Sequence, residues 1–183
     1  MNILIATPLF PPDTAESARY VKELARRLSK DHAVHVLLYG YLPERVAGVA
    51  FTCVDKRWPT VIRLLHYFMT LWREIRRADL VFAENGSSVE LPVGLMSLLT
   101  NKPVIFHIGD KLAHASTRQS GIRRCIEQFV RRQACQVFHD TPPPQPEILP
   151  FKPYPREAFA HYESSWQAHI TLLTTHIRLC LKS

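Results

Sequence analysis

Residues 1–30 read MNILIATPLFPPDTAESARYVKELARRLSK, and this stretch decides the fold. Residues 2–6 form a continuous apolar run, which is typical of a strand that is covered on both faces. Three prolines between residues 8 and 12 predict a bend, and Asp13 with Glu16 resembles a capping pair at a helix start. The predicted helix presents one stripe to the core, made of Ser17, Val21, Leu24 and Leu28.

The same alternation continues along the chain. Further strands are predicted at residues 33–39, 49–54, 79–83, 103–108 and 136–138. Further helices are predicted at residues 60–77, 92–99 and 122–134. The first of these has a predicted apolar face made of Val61, Leu65, Phe68, Trp72 and Ile75. The second of them has a competing start at the capping box of Ser87 and Glu90, but Pro92 belongs in a first turn, so the regular part is placed from Pro92. Because strands alternate with helices, the fold class is predicted as α/β, with a single doubly wound, mostly parallel Rossmann-like sheet.

The composition changes after residue 138. Residues 139–155 hold seven of the fourteen prolines, so neither a helix nor a strand is expected there. Residues 156–183 contain helix-like stretches with a poor apolar pattern. The predicted organisation is therefore a Rossmann-like domain over residues 1–138, a proline-rich linker over 139–155 and a helical tail over 156–183.

Charge and cysteine content limit the classes of function. The chain has 23 Lys and Arg against 16 Asp and Glu, which suits an anionic partner: a phosphorylated ligand, nucleic acid or an acidic membrane surface. The four cysteines contain no C-x-x-C pair, so neither a zinc cage nor a redox motif is indicated, and free thiols are expected. No segment has the pattern of a signal peptide or a membrane span. The expected location is cytoplasmic, with peripheral attachment at the inner face of the membrane as an extension of that expectation.

Ligands of a doubly wound sheet bind outside the carboxyl ends of its strands, which here means the loops at residues 7–17, 84–88 and 109–115. The first loop opens a helix, whose exposed N–H groups attract phosphate and other anions. It contains no glycine, so the G-x-G-x-x-G dinucleotide fingerprint is absent, and no Walker A motif occurs. A rigid structural turn explains this loop equally well.

Four short motifs occur in a characteristic order. Residues 10–12 are Phe-Pro-Pro, residues 20–25 read YVKELA, residues 78–85 read ADLVFAEN and residues 100–110 read TNKPVIFHIGD. Their order and spacing resemble the amino-terminal half of family-4-type glycosyltransferases, which have the GT-B fold. The resemblance covers about residues 1–138.

This resemblance implies transfer of a sugar from a nucleotide-sugar donor to a lipid or glycan acceptor. In such enzymes the amino-terminal domain mostly holds the acceptor, the carboxyl-terminal domain holds most of the nucleotide sugar, and the reaction occurs in the cleft between them. The resemblance also implies that no metal or other cofactor is needed, the nucleotide sugar being a co-substrate. Backbone dipoles and basic groups then stabilise the charge on the leaving phosphate.

The chain departs from the family pattern in three respects. Ala15-Glu16-Ser17 stands where the family has a glycine pair, and Gly109 stands where many members have a histidine. The third departure is that these 183 residues do not include the family's donor domain. We therefore expect an acceptor-side domain that takes its donor domain from another chain, or a truncated enzyme. A helix folded back across the sheet is a third explanation for the tail.

Two other functions stay open at this point. One is a non-catalytic Rossmann-like module that docks on a membrane or on a full-length transferase. The other is a small nucleotide-binding enzyme.

The expected substrate-binding residues lie at the first helix start and in the two later loops: Asp13, Glu16, Ser17, Arg19, Glu84, Asn85, His107, Asp110 and Lys111. No catalytic residue and no general base is assigned. His107, Asp110 and His114 do not have the spacing of a known metal site, and a strand histidine followed by a capping aspartate explains the first two. An ordinary turn explains Glu84 and Asn85 equally well.

Two groups of arginines lie on predicted helices, one at residues 73–77 and one at residues 123–132. Solvated helix faces are the usual explanation. The alternative is docking onto an anionic membrane surface, which Trp58, Phe68 and Trp72 near the first group favour. Nucleic acid is not an expected partner, because the aromatic residues do not interleave with the basic ones.

Overall fold

A six-stranded parallel sheet forms the centre of the protein. The computed structural model describes residues 1–40, 42–109, 114–115 and 120–182. The strands are β1 Asn2–Thr7, β2 Ala33–Tyr39, β3 Val49–Val54, β4 Leu80–Glu84, β5 Val104–His107 and β6 Gln136–Phe138. Their order is β3-β2-β1-β4-β5-β6, and every neighbouring pair is parallel. The predicted single doubly wound sheet is confirmed.

Helices cover both faces of this sheet. The described part of the chain has five: α1 Glu16–Leu28, α2 Thr60–Ile75, α3 Ser87–Thr100, α4 Gly121–Gln133 and α5 Arg156–Cys180. Successive strand residues point to opposite faces. In β1, Ile3 and Ile5 therefore pack in a core with α1 and α5, whereas Leu4 and Ala6 pack in a second core with α2, α3 and α4. The result is three layers, with the sheet in the middle.

The last helix, α5, is part of the first core. Its buried residues recur at helical spacing: Tyr162, Trp166, His169, Leu173, Ile177 and Cys180. The expectation of a poor apolar pattern is wrong, because a histidine and a cysteine occupy two positions of an otherwise regular stripe. The third explanation for the tail, a helix folded back on the sheet, describes its observed position.

A disulfide joins α5 to the segment before β6. Cys135 and Cys180 form this bond, with their Cα atoms 5.8 Å apart and a separation of 45 positions in sequence. The expectation of four free thiols is therefore wrong for this pair, because the two cysteines are close only after α5 has packed on the sheet. Cys53 and Cys125 are free thiols.

Helix α3 begins earlier than the sequence predicts. It starts at Ser87 and contains Pro92 in its interior, whereas we predicted that Pro92 would begin the regular part. A proline in a helix leaves the carbonyl four residues before it without its usual N–H partner. Here the Tyr39 hydroxyl donates to the Ser88 carbonyl at 3.1 Å, so the side chain of a neighbouring strand replaces the missing donor.

Helix α2 buries a different side from the one predicted. Its buried apolar residues are Tyr67, Leu71 and Ile75, whereas Val61 and Leu65 of the predicted apolar face are exposed. The helix is apolar on more than one side, so sequence periodicity does not distinguish the side that faces the sheet.

Helix α1 starts without the predicted capping pair. Asp13 Oδ1 accepts a hydrogen bond from the Ala15 N–H at 3.1 Å, and the first helical residue, Glu16, is exposed. The predicted stripe of α1 is correct, since Val21, Leu24 and Leu28 are all buried. Among the described residues, no helix is long and apolar enough to cross a membrane.

Candidate functional site

Two neighbouring strands, β4 and β5, bring polar groups to the carboxyl edge of the sheet. Glu84 ends β4 and His107 ends β5, and the two residues are register partners on neighbouring strands. Their side chains therefore lie on the same face of the sheet, with Glu84 Oε1 and His107 Nδ1 3.3 Å apart. Both side chains are almost completely buried, at 1% and 0% exposure.

Helices α1 and α5 complete this group. The ring of Tyr20 stacks on His107 with the ring centres 4.4 Å apart, and its hydroxyl lies 2.9 Å from His169 Nε2. We call Glu84, His107, Tyr20 and His169 the buried polar cluster. It links two strands to a helix near each end of the chain.

Burial favours the neutral forms of two members of the buried polar cluster. It raises the pKa of Tyr20 well above its ordinary value, and the negative charge of Glu84 adds to this effect. Burial also lowers the pKa of His169 to about 4, with a further contribution from nearby His107. The Tyr20–His169 contact is therefore a hydrogen bond between neutral groups.

Gly109 fits closely against the buried polar cluster. A Cβ atom at this position would lie 2.5 Å from His107 Cε1 and 2.6 Å from Glu84 Oε1. Such distances are well inside van der Waals contact, so no larger side chain fits unless the cluster moves. The histidine that many family-4-type glycosyltransferases carry at the corresponding point has no space in this chain.

A cavity of about 640 Å³ opens above the buried polar cluster, and we call it the edge pocket. One wall is the bend before α1 together with the first turns of that helix. The opposite wall is the proline-rich segment Thr141–Glu147. Tyr162 and Trp166 of α5 also line it, and Tyr20 belongs both to the pocket lining and to the cluster beneath. The cavity volume lies within the usual range for small-molecule sites.

Carboxylates outnumber cations in the edge pocket. Its lining includes five acidic residues, Asp13, Glu16, Glu23, Glu44 and Glu147, and two basic residues, Arg19 and Lys22. Lys22 is paired with Glu44, and Glu23 binds Arg26 and Arg27 of its own helix. Asp13, Glu16 and Glu147 make no ion pair with any other described residue.

This charge pattern determines what the edge pocket attracts. Ionised carboxylates only accept hydrogen bonds, so they attract hydroxyl and ammonium groups and repel phosphates. Arg19 is the cation that is left without an ion-pair partner among the described pocket residues. The pocket thus offers several acceptors and one cation to a ligand.

Aromatic rings form the inner surface of the pocket. Tyr20 stacks on Trp166 with the ring centres 5.5 Å apart, and the guanidinium carbon of Arg27 lies 5.2 Å from the centre of the Trp166 ring. Arg27 also donates to Glu163 at 2.8 Å, which ties α1 to α5. The buried Trp166 Nε1 has no hydrogen-bond partner among the residues that the structure describes.

Some of the predicted site residues line the edge pocket, and others are buried in the protein next to it. Asp13, Glu16 and Arg19 line the edge pocket. Ser17 is buried and does not line it, and Glu84, Asn85 and His107 are buried beneath it. Asp110 and Lys111 lie outside the described residues.

Sequence reasoning missed the aromatic and proline walls of the pocket. Tyr162 and Trp166 stand four residues apart on one helix face, a spacing that signals a shared surface. Nothing in the sequence shows that this surface meets Tyr20, which is about 140 residues away along the chain.

The histidines near this edge are held by separate carboxylates. His107 contacts Glu84, whereas His114 Nδ1 lies 3.1 Å from Glu127 Oε2 on α4. Within the described residues, no group of three or more histidines, cysteines, aspartates or glutamates could hold a metal ion.

Comparisons with known proteins identify the fold. No protein family and no curated protein matches the sequence. Among solved structures, Anabaena HepE in complex with UDP and glucose is similar, with a TM-score of 0.53 and 17% identity over 75% of this chain and 37% of HepE. HepE in complex with UDP-glucose gives a TM-score of 0.52 and 16% identity over 75% of this chain and 36% of HepE.

A second kind of protein has a similar structure. The UDP-GlcNAc 2-epimerase from Methanocaldococcus jannaschii gives a TM-score of 0.53 and 12% identity over 77% of this chain and 40% of the epimerase. At such identities the likeness shows the fold alone, a Rossmann-like α/β sheet consistent with half of a GT-B fold. The chain spans well under half the length of these proteins.

Proposed function

We propose that this chain is the amino-terminal, acceptor-side domain of a family-4-like, GT-B-type glycosyltransferase. In this proposal the sugar comes from a nucleotide-sugar donor and passes to a lipid or glycan acceptor. The observation that carries the proposal is the composition of the edge pocket, which combines carboxylates with aromatic rings at the carboxyl edge of a doubly wound sheet. The likeness to structures solved with UDP and glucose, or with UDP-glucose, supports the fold on which the proposal rests.

The pocket chemistry favours an acceptor sugar over a nucleotide. Asp13 and Glu16 would accept hydrogen bonds from sugar hydroxyls, and the ring of Tyr20 offers an apolar surface to a sugar face. A diphosphate would meet mostly negative charge there. Arg19 is proposed to bind the donor phosphate at the open side of the pocket, since its guanidinium is exposed.

The remaining predicted residues have supporting roles in this proposal. Glu84 and His107 hold the ring of Tyr20 in place from below, and Ser17 and Asn85 pack under the same edge. We also propose that Asp110 and Lys111 belong to the loop that binds the acceptor. No residue is assigned as general base, because positioning two substrates in one cleft can supply much of the rate of a transfer reaction.

The donor half is proposed to come from another chain. HepE and the UDP-GlcNAc 2-epimerase are each more than twice as long as the part that this chain matches. We propose that the chain alone is inactive and that a domain with a nucleotide-sugar site completes the cleft. The same arrangement would follow if this chain were a truncated form of a two-domain enzyme.

Fluorescence of Trp166 tests the acceptor site directly. Substituting the other two tryptophans, Trp58→Phe and Trp72→Phe, leaves the pocket tryptophan as the sole reporter. We expect mono- and oligosaccharides to change its emission, and UDP to have no effect as long as the donor domain is not added. Glu16→Gln should weaken saccharide binding about five- to ten-fold, because one charge-assisted hydrogen bond is lost. Glu157→Gln removes a carboxylate that does not line the pocket and should leave binding unchanged.

A transfer assay tests the rest of the proposal. The chain is co-expressed with the second Rossmann-like domain of a neighbouring reading frame, and sugar transfer from labelled nucleotide sugars to membrane lipids and glycans is measured. Transfer that needs both chains would support the proposal. The proposal fails if no saccharide alters Trp166 emission and no donor domain restores transfer.

A non-catalytic module that docks on a membrane or on a full-length transferase is the second candidate. It is favoured by Glu16 in place of the family's glycine pair and by the complete burial of Glu84 and His107 beneath the pocket. Such a module would bind a full-length transferase or a membrane without requiring the edge pocket. Pull-down of a transferase that is unaffected by Glu16→Gln and by Arg19→Ala would select this candidate.

A further inference from the structure

Helix α2 carries an exposed apolar stripe on the side away from the sheet. Its members on the helix follow one another at intervals of three and four residues: Ile62, Leu65, Met69 and Trp72. The exposed Trp58, two residues before the helix begins, continues the same spacing. Leu65 is 62% exposed and Met69 is 65% exposed, so these side chains are in water rather than at the edge of the core. Single exposed apolar residues are common on protein surfaces, but a continuous stripe indicates a binding surface.

The opposite side of the same helix is buried in the protein core. Tyr67, Leu71 and Ile75 are completely buried against the sheet. A helix that is apolar on both sides is normally buried on both sides. Here the neighbouring helices of the layer extend the exposed apolar surface, with Leu95, Leu98 and Leu99 on α3 and Ile122 on α4. The outer layer of α2, α3 and α4 therefore has an apolar surface that nothing in the described part of the chain covers.

The charges of the outer layer identify the kind of partner. Its three helices contain three carboxylates, Glu74, Glu90 and Glu127, and all of them are buried. Exposed arginines lie on the helices and just after α2: Arg73, Arg76, Arg77, Arg124, Arg131 and Arg132. Arg73 and Arg77 pair with Glu74, and Arg131 pairs with Glu127. Among the described residues Arg76, Arg124 and Arg132 make no ion pair, so the exposed charge that they leave on this layer is positive.

The detailed geometry fits a bilayer surface. The guanidinium carbon of Arg76 lies 5.7 Å from the centre of the Trp72 ring, so a cation and an amphipathic ring stand together at one end of the stripe. Tryptophan and arginine favour the headgroup level of membranes, where a ring can be half-buried while the charge meets lipid phosphate. A second copy of this chain would bring like-charged arginines together across a two-fold contact, which opposes self-association.

We infer that the outer layer of α2, α3 and α4 docks onto an anionic lipid bilayer, with Ile62, Leu65, Met69 and Trp72 entering the headgroup region and the arginines binding lipid phosphates. The attachment is peripheral, because α2 stays packed on the sheet through its buried side. This inference does not depend on the glycosyltransferase proposal, since it uses no residue of the edge pocket.

Vesicle binding of the full chain tests the inference. We expect co-sedimentation with vesicles of phosphatidylcholine containing about a third phosphatidylglycerol, and weak or no binding to vesicles of phosphatidylcholine alone. The double variant Leu65→Glu/Met69→Glu should reduce the partition coefficient more than ten-fold. Arg76→Ala should reduce it about five-fold, the effect expected for one arginine near an anionic surface. Added salt should weaken binding of the wild type.

Matched controls lie on α5, which covers the opposite face of the sheet. Leu179 is 59% exposed, close to Leu65, so Leu179→Glu places the same charge on a comparable apolar site. Arg178→Ala removes an exposed arginine from that helix. Both variants should bind anionic vesicles as the wild type does. In a Trp58→Phe background, quenching of tryptophan emission by brominated lipids should be lost when Trp72→Phe is added, which identifies Trp72 as a residue that enters the bilayer.

Three results would overturn the inference. The first is that the wild type does not bind anionic vesicles at 0.1 M salt or below. The second is that Leu65→Glu/Met69→Glu binds as the wild type does. The third is that the wild type is a dimer by sedimentation velocity and this double variant is a monomer, since a second copy would then cover the stripe. Circular dichroism of the double variant confirms that a loss of binding is not a loss of folding.

Discussion

At the residue scale, close packing explains why a glycine stands at position 109, beneath the edge pocket. Glu84, His107 and Tyr20 fill the space at the ends of β4 and β5, and they leave no space for a side chain at position 109. These side chains contact one another and are buried, so each of them is fixed in position by its neighbours. Changes of a few atoms at this place should therefore be measurable in the stability of the protein.

Gly109→Ala should destabilise the protein by about 1–3 kcal/mol, because the added methyl group forces His107 or Glu84 out of position. Gly121→Ala is the control, since a Cβ at Gly121 meets nothing within 4 Å. Urea unfolding of both variants measures the difference. Equal stability of the two variants would show that the space around Gly109 is not as restricted as described.

The pH dependence of stability should contain a contribution from His169. In the unfolded chain this histidine titrates near its ordinary pKa of about 6.5, whereas burial lowers its pKa in the folded protein to about 4, with His107 adding to the shift and Asp140 opposing it. Between these values the unfolded state binds more protons, so stability rises with pH. It should fall by about 2–3 kcal/mol as the pH decreases from about 6.5 to about 4.

Chemical unfolding at several pH values between 4 and 7 checks this contribution. His169→Gln keeps a hydrogen-bonding group beside Tyr20 but does not titrate, so its stability should change less over this range. His161→Gln removes an exposed histidine of the same helix and should behave as the wild type. A wild-type profile in His169→Gln would exclude His169 as the cause.

At the scale of single elements, contacts between elements decide where a helix begins and which side it buries. The interior proline of α3 is accommodated by a tyrosine of β2, and α5 is joined to the chain before β6 by a disulfide. Helix α2 follows the same rule: it is apolar on two sides, and contact with the sheet determines which of the two is buried. None of these contacts is local in sequence.

Tyr39→Phe should cost about 1 kcal/mol, because the Ser88 carbonyl loses the hydroxyl that replaces the missing N–H of Pro92. In a Pro92→Ala background the helix supplies its own N–H to that carbonyl, and the same substitution should cost less than about 0.5 kcal/mol. A double-mutant cycle by thermal or urea unfolding measures the coupling. Absence of coupling would mean that the hydroxyl does not serve this carbonyl.

Loss of the Cys135–Cys180 disulfide should destabilise the protein by about 4 kcal/mol, the value that the chain-entropy relation gives for the 45-residue separation. Cys135→Ser/Cys180→Ser is the test variant, and Cys53→Ser/Cys125→Ser, which changes the free thiols, is the matched control. Unfolding with and without reductant compares them. Alkylation of four thiols in the untreated native protein would contradict the disulfide.

At the scale of the whole molecule, α5 joins the end of the chain to its beginning. It packs in the core that β1 and α1 form, it supplies two rings to the edge pocket, and it holds Tyr20 through His169. Burial of one large apolar side chain contributes about 1.5–3 kcal/mol. The apolar residues that α5 buries are therefore comparable in effect to the whole net stability of a typical domain, which is about 5–15 kcal/mol.

Two adjacent leucines test the role of α5 in the whole core. Leu173 is completely buried and Leu172 is 46% exposed. Leu173→Ala should cost about 2–5 kcal/mol, as expected for a cavity in a packed core, whereas Leu172→Ala should change stability by less than about 0.5 kcal/mol. Urea unfolding measures both. Similar small losses in the two variants would show that α5 is only loosely attached to the sheet.

The sequence by itself determined the strands, the helices and the doubly wound parallel sheet, because apolar periodicity and turn residues are local signals. It also directed attention to the bend before α1, where Asp13, Glu16 and Arg19 now line a pocket. Only the tertiary structure decided the inner wall of that pocket, since Tyr20 of α1 and Trp166 of α5 are far apart in sequence and meet through packing on a shared sheet face. The tertiary structure also decided which side of α2 is buried, because that helix is apolar on two sides. It decided the disulfide as well, because Cys135 and Cys180 come together only when α5 packs on the sheet.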